Sequence, residues 1–238
     1  MKEVSRELPR IDEFGQPLGR GLPGWKSPPF PPRVALAGRY VRVEPIDPAR
    51  HAREHWEAQC ADTHGVRWTY GFHGPYPQYE PFEQWCVEAQ QSRDPQFYAI
   101  VDAADNRAAG SCGYMRIEPK HGVIEIGNIH FTLRLAHTRA ATEAMYLLMA
   151  NAFELGYRRY EWKCDSCNLP SRAAATRFGF SYEGLFRQHM WVKGANRDTA
   201  WFSMLDSEWP AFRREYDRWL DPSNFDAAGR QKSKLQVL

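Results

Sequence analysis

The chain has 238 residues, 43% of them apolar and 25% charged, with a formal net charge of +2. It is long enough to bury a real core, and its composition is ordinary for a globular protein. Near-balanced charge supplies no long-range field for nucleic acid or an anionic membrane, and no apolar run approaches the ~18 residues that a spanning helix needs. The N-terminus MKEVSRELPR lacks the apolar stretch of a secretory signal, and Cys60, Cys86, Cys112, Cys164 and Cys167 make an odd count. Both point to reduced thiols and a cytoplasmic location.

Residues 1–38 are dense in proline and glycine, which excludes a helix or central strand and predicts an extended arm anchored by Phe14, Trp25 and Phe30. RYVRVEPI (39–46) alternates like a strand, and Pro48 to Ala61 reads as a helix. A loop rich in Trp, Tyr, Gly and Pro runs from Gly65 to Pro81, followed by a helix over Phe82 to Gln91. Phe97 to Val101 and Ala109 to Glu118 are predicted strands, and a turn at Lys120–Gly122 leads into a further strand from Val123. After a short basic turn, Ala141, Ala144, Met145, Leu148, Met149 and Ala152 follow the i, i+3, i+4 spacing of a long, largely buried helix, with Gly156 placed to cap it. Tyr157 to Cys164 reads as a strand and Ser171 to Phe178 as a short helix with Pro170 at its start and Gly179 past its end. Ser181 to Val192 and Thr199 to Leu205 form a hairpin, Trp209 to Leu220 a closing helix, and Gly229 to Leu238 a frayed end. The expected division is an arm (1–38), one domain (39–220) and a tail (221–238). Its fold class is α/β (α+β), one mixed sheet with helices on both faces.

The strand-to-helix junction near Phe131 to Thr142 is the most informative segment. A helix start presents unpaired N–H groups and a positive dipole end, a natural seat for phosphate. Ala136, Ala140 and Ala141 would let a ligand approach the backbone. Arg134, His137 and Arg139 bring cationic groups, and Thr138 or Thr142 could cap the helix or touch an anion. The competing reading is a plain core helix. Asn168 and Ser171 likewise read as caps or as site residues. Trp68, Tyr70 and Phe72 pin their own glycine-hinged loop or, as the resemblance given next implies, help to wall an acceptor pocket. Cys164-x-x-Cys167 has no second pair to complete a zinc site, so no metal is expected.

Taken together, EIG (Glu125–Gly127), ATEA (Ala141–Ala144), and Asn168-x-x-Ser171 followed by GF-x-x-EG (Gly179 to Gly184) resemble the GNAT superfamily of N-acetyltransferases, in its RimJ/RimL-like branch. The resemblance covers roughly residues 39–208. It implies a central, mostly antiparallel sheet flanked by helices, with acetyl-CoA as co-substrate. Its pantetheine would run along Phe131, Thr132 and Leu133, and its pyrophosphate would sit at His137, Thr138, Arg139, Ala140, Ala141 and Thr142. Asn168 and Ser171 would lie near the thiol. Two positions depart from the family pattern: Arg139 stands where glycine is usual, and Ala175 where many members carry an acidic Tyr. Ser171 is then the candidate partner of the thiolate.

The implied reaction is attack of a neutral amine on the thioester. An α-amine, with a pKa of about 8, is neutral far more often than a lysine. The acceptor would be a protein N-terminal α-amine or a small amine. Glu125 and His130 are candidate bases, with His189 a weaker one. A regular strand would put Glu125 and His130 on opposite faces, and a bulge would change that. The alternative is a non-catalytic CoA-binding or regulatory module of the same fold, and the surface aromatics leave room for a homodimer.

Overall fold

The computed structural model describes residues 10–237. A small exposed hairpin, β1 (Arg10–Ile11) with β2 (Pro17–Leu18), comes first. The remaining strands are β3 (Leu36–Ala37), β4 (Val41–Pro45), β5 (Gln96–Asp102), β6 (Arg107–Glu118), β7 (Val123–Phe131), β8 (Arg159–Asp165), β9 (Ser181–Val192) and β10 (Ala195–Leu205). They form one eight-stranded sheet in the order β3-β4-β5-β6-β7-β8-β10-β9. Every pairing is antiparallel except β7 with β8. The helices are α1 (Arg53–Gln59), α2 (Tyr79–Gln91), α3 (Arg139–Glu154), α4 (Leu169–Arg177) and α5 (Trp209–Leu220).

Alternation within strands decides which face meets which helices. In β5, Tyr98 and Ile100 join the larger core built on α3 and α5, whereas Phe97 joins a smaller cluster with Phe82 and Cys86 of α2. Both faces are therefore covered, as the strand and helix order predicts. The predicted helix over Pro48 to Ala61 opens instead as a π-helical turn, Pro48–Ala52, capped by the Asp47 carboxylate at Ala49 N (3.1 Å), before α1 begins.

On the buried side of α3, Glu143 accepts the backbone N–H groups of Arg39 (2.9 Å), Tyr40 (2.5 Å) and Val41 (3.0 Å). It clamps the entry to β4, satisfying amides that would otherwise lie unpaired beside the core. A Cβ at Gly38 would come 2.5 Å from this carboxylate, so a larger residue would push Glu143 off the amides it holds.

The arm is a strap laid on the domain. Tyr157 Oη donates to Pro29 O (3.0 Å), Gln96 Nε2 donates to Pro31 O (3.0 Å), and Arg33 donates to the carbonyls of Gln90 and Ser92. Phe30 packs on the core, while Phe14 is 79% exposed and anchors nothing. The predicted fraying after Gly229 is corrected. Val237 is buried against Gly179 and Met204, Gln236 N donates to Glu215 Oε1 (2.6 Å), and Lys232 N donates to Asn224 O (2.7 Å). One apolar side chain meeting a hole above Gly179 outweighs the polar composition around it.

Candidate active site

β7 and β8 pair from Val123↔Arg159 to Ile126↔Trp162 and then part, although both continue, to Phe131 and Asp165. The gap opens as a cleft. Its walls are Gly127 to His130, Trp162 to Asp165, the start of α4, the Arg67–His73 loop and the β9–β10 hairpin.

The face of β7 is set by a bulge. Glu125 opposes Met115, Gly127 opposes Gly113 and His130 opposes Ser111, so Asn128 and Ile129 together face one residue of β6. Asn128 takes φ of +50°, the left-handed conformation of a G1-type bulge. Glu125, Gly127 and His130 thereby share one face, and both side chains reach the cleft. The opposite-face arrangement of a regular strand does not occur.

His130 is 5% exposed, and its Nδ1 lies 3.1 Å from Nε2 of His55. Trp68 stacks on its ring at 3.8 Å between centroids and 20° between planes. Burial drives His55 down to about 3 and His130 well below its ordinary 6.5, so both rings are neutral at neutral pH. The two rings share a single proton in their contact. Among the described residues no protein group bonds His130 Nε2, which is open to the cleft, whereas His55 Nδ1 is buried without a partner.

The other wall is ionic. In the parallel register Glu125 faces Glu161, two carboxylates that need a cation between them. Lys163, two residues along β8, supplies it: Nζ lies 2.9 Å from Glu125 and 2.8 Å from Glu161, with 3.4 Å to the Trp201 ring centroid. Arg116 pairs with the same Glu125 oxygen. Burial pushes the Glu125 carboxyl up from its ordinary 4.5, and Lys163 and Arg116 pull against it. At Glu161 burial also raises, but Lys163 and Arg159 outweigh it and the carboxyl is lowered.

Asn168 caps α4, its Oδ1 accepting Ser171 N (3.1 Å). Ser171 Oγ accepts from Trp162 Nε1 (3.0 Å) and lies by Cys164, whose thiol burial raises and Ser171 lowers. Tyr70 Oη donates to Cys167 O (3.1 Å), Phe72 lies beneath Arg197, and Trp68 is 4% exposed. His189 Nδ1 contacts Thr199 Oγ1 at 2.8 Å on the hairpin.

The expected phosphate seat lies apart from this cleft. Thr132 N and Oγ1 both donate to Ala109 O, so by strand alternation the amide and carbonyl of Phe131 point to the open side. Thr138 is the N-cap of α3 and takes Ala141 N (3.1 Å). The amides of His137, Arg139 and Ala140 have no protein acceptor among the described residues. The Ala141 amide is occupied by the cap, and Thr142 is 2% exposed, its N–H on Thr138 O and its hydroxyl meeting Arg177 (3.1 Å). Arg139 lays its guanidinium over Tyr40, 4.2 Å from the ring centroid. Leu133 is 50% exposed.

An acetyltransferase (GNAT) domain model matches residues 41–181, more than half of the chain. The chain is a GNAT acetyltransferase. A GCN5-related N-acetyltransferase from Brucella melitensis is 50% identical, with a TM-score of 0.88, covering 90% of this chain and 98% of that one. The uncharacterised N-acetyltransferase p20 of Bacillus licheniformis is 30% identical over 126 residues, 52% of this chain and 67% of its own. The Salmonella typhimurium acetyltransferase that modifies the N-terminal serine of ribosomal protein L7/L12 is 19% identical with a TM-score of 0.61, covering 71% and 96%. That last likeness speaks to fold alone. This GNAT enzyme belongs to a family that generally uses acetyl-CoA.

Sequence reading missed His55, Lys163, Arg116 and Arg197. His51 and His55 do share one helix face at i, i+4, and Glu161, Lys163 and Asp165 alternate with Tyr160, Trp162 and Cys164. Those were the available signals.

Proposed function

We propose that this GNAT enzyme acetylates an amine bound in the cleft between β7 and β8, a small amine or a protein N-terminal α-amine. Acetyl-CoA would enter along the open edge at Phe131, with its pyrophosphate on the free amides of His137, Arg139 and Ala140. These residues fit the group: a helix start with unengaged N–H groups, small side chains at Ala136 and Ala140, and a strand edge that β8 has left unpaired. Acetyl-CoA supplies the thioester.

The observation that carries the reading is His130, a neutral imidazole whose Nε2 faces the cleft with no protein partner among the described residues. As nitrogen bonds to the acyl carbon its proton becomes acidic enough for a weak base to take, and His130 Nε2 is the acceptor. The base role requires the tautomer in which His130 Nδ1–H donates to His55 Nε2, which leaves the lone pair on His130 Nε2. Glu125 is engaged by two cations, which favours His130 over it as the base and leaves Glu125 to order Lys163. The C–S bond breaks as the N–C bond stands; the Ser171 hydroxyl, its oxygen held by Trp162, hydrogen-bonds the leaving thiolate, which takes its proton from solvent as His130 returns the amine's proton there.

Thiol release from acetyl-CoA, measured across small amines and peptides beginning with Ser or Ala, tests the reading. Turnover on at least one amine is expected. Tight acetyl-CoA binding with no turnover on any would instead support a non-catalytic CoA-binding module.

A further inference from the structure

The acceptor wall holds a cation that the acetyl transfer just described does not use. Arg197, on β10, is 7% exposed and lines the cleft. Its Nε donates to Thr199 Oγ1 (3.3 Å) and its guanidinium carbon lies 5.0 Å from the Phe72 ring centroid. No carboxylate pairs with it among the described residues. The other buried or half-buried cations of this wall are matched: Lys163 with Glu125 and Glu161, and Arg159 with Glu161 and Glu183. Asp165, whose field reaches Arg197, is not in contact with it and uses Oδ1 on Cys167 N (2.8 Å). The Nη groups of Arg197 are not sealed in the protein, since they are not among the buried atoms that lack a partner.

A desolvated guanidinium with open Nη groups is costly unless something fills the place of the missing anion. The rest of the cleft has the same bias. Arg67, Arg116, Lys163 and Arg197 line it against Glu125 and Asp165, and Glu125 is already shared by Arg116 and Lys163. The phosphates of acetyl-CoA do not answer this surplus, because no residue of the 133–142 segment lines the cleft. The Arg67–His73 loop is also tied across to the opposite side: Lys193 Nζ donates to Trp68 O (2.9 Å) and Gly74 O (3.3 Å). Phe72 on that loop covers one side of the guanidinium and leaves its fork for a planar partner.

Resting on the acetyltransferase reading, we infer that the acceptor amine carries a carboxylate which Arg197 binds in its fork, so that the enzyme selects amino-acid-like acceptors over simple amines. Arg197 is a specificity-determining residue in this scheme. A guanidinium fork matches a carboxylate with two parallel N–H···O bonds, which a carboxamide cannot reproduce.

The test pairs each acceptor with its uncharged twin: α- and ω-amino acids against their amides, and peptides beginning with Asp or Glu against Asn or Gln. The wild type should favour the carboxylate form by about 10- to 100-fold in kcat/KM. Arg197→Gln should bring that ratio towards one, chiefly by raising KM for the carboxylate form, and Arg197→Lys should restore part of it. The free amino acids and the acidic peptides report separately whether the carboxylate comes from a small molecule or a chain end. Binding is read independently by calorimetry, titrating N-acetylated amino acids and their amides into enzyme holding CoA. No preference for the carboxylate form in the wild type, in turnover or in binding, overturns the proposal, as does a ratio unmoved in Arg197→Gln. Charge-selective binding without turnover on any amine would instead sink the acetyl-transfer reading and leave the anion site standing.

Discussion

The start of α3 and the cleft between β7 and β8 are two sites made in opposite ways. In the seat proposed at α3 the groups on offer are the unengaged backbone amides of His137, Arg139 and Ala140, and the side chains mostly hold the turn, as Thr138 does. In the cleft the working groups are side chains drawn from α1, β6, β7, β8 and β10, and the backbone only aims them through the bulge at Asn128. A backbone site tolerates replacement of its residues, because every residue carries the same amide. A side-chain site fails one residue at a time.

Substitutions should therefore separate the two. His130→Gln should lower kcat by about 10²- to 10⁴-fold, with the calorimetric Kd for acetyl-CoA little moved. A loss below threefold would move the base elsewhere. Lys163→Met leaves Glu125 facing Glu161 across the parallel register with their shared cation gone. It should cost about 3–5 kcal/mol in denaturant unfolding. A cost under 1 kcal/mol would show that Arg116 and Arg159 suffice.

The buried histidines predict a pH dependence of stability. His55 has a folded-state value of about 3 against an ordinary 6.5. Below 6.5 the unfolded chain takes up a proton that the folded chain refuses until about 3, so stability is highest above 6.5 and falls with pH through that window. The slope from this one group is at most about 1.4 kcal/mol per pH unit. Melting temperatures of wild type and His55→Phe between pH 7 and 5 check it, and parallel curves would remove His55 as the source. At the backbone site, Arg139→Glu should raise the acetyl-CoA KM only about 2- to 5-fold, the range of a charge at a helix start. A hundredfold rise would mean that the Arg139 side chain itself grips phosphate.

The same contrast governs what the sequence made legible. The start of α3 is local: strand, turn, Thr cap and apolar stripe lie within about thirty consecutive residues, so pattern and capping chemistry find it. The order of strands and helices was readable for the same reason. The cleft is non-local. His55 and His130 are 75 positions apart and meet only because α1 lies across the β6–β7 side of the sheet. The bulge turns on Asn128 and Ile129, and the positive φ of Asn128 that makes it is not reported by apolar alternation. Arg197 sits in a hairpin strand read only from Thr199 onward, so its inward position was not visible. Glu143, a charged residue on a buried helix face, was hidden because its partners are backbone amides, which no side-chain pattern records.

The two ends of the sheet differ in what they offer another molecule. At one end β3 is two residues long and follows Pro28, Pro29, Pro31 and Pro32, which have no amide hydrogen to give. At the other, β9 runs twelve residues with Tyr182, Leu185, Phe186 and Trp191 all exposed. The long exposed edge is thus on one side only. If β9 meets the β9 of a second copy, both open edges are consumed and the assembly stops at two. A sheet with two long open edges could stack without limit, and the two-residue β3 leaves this one with a single long edge.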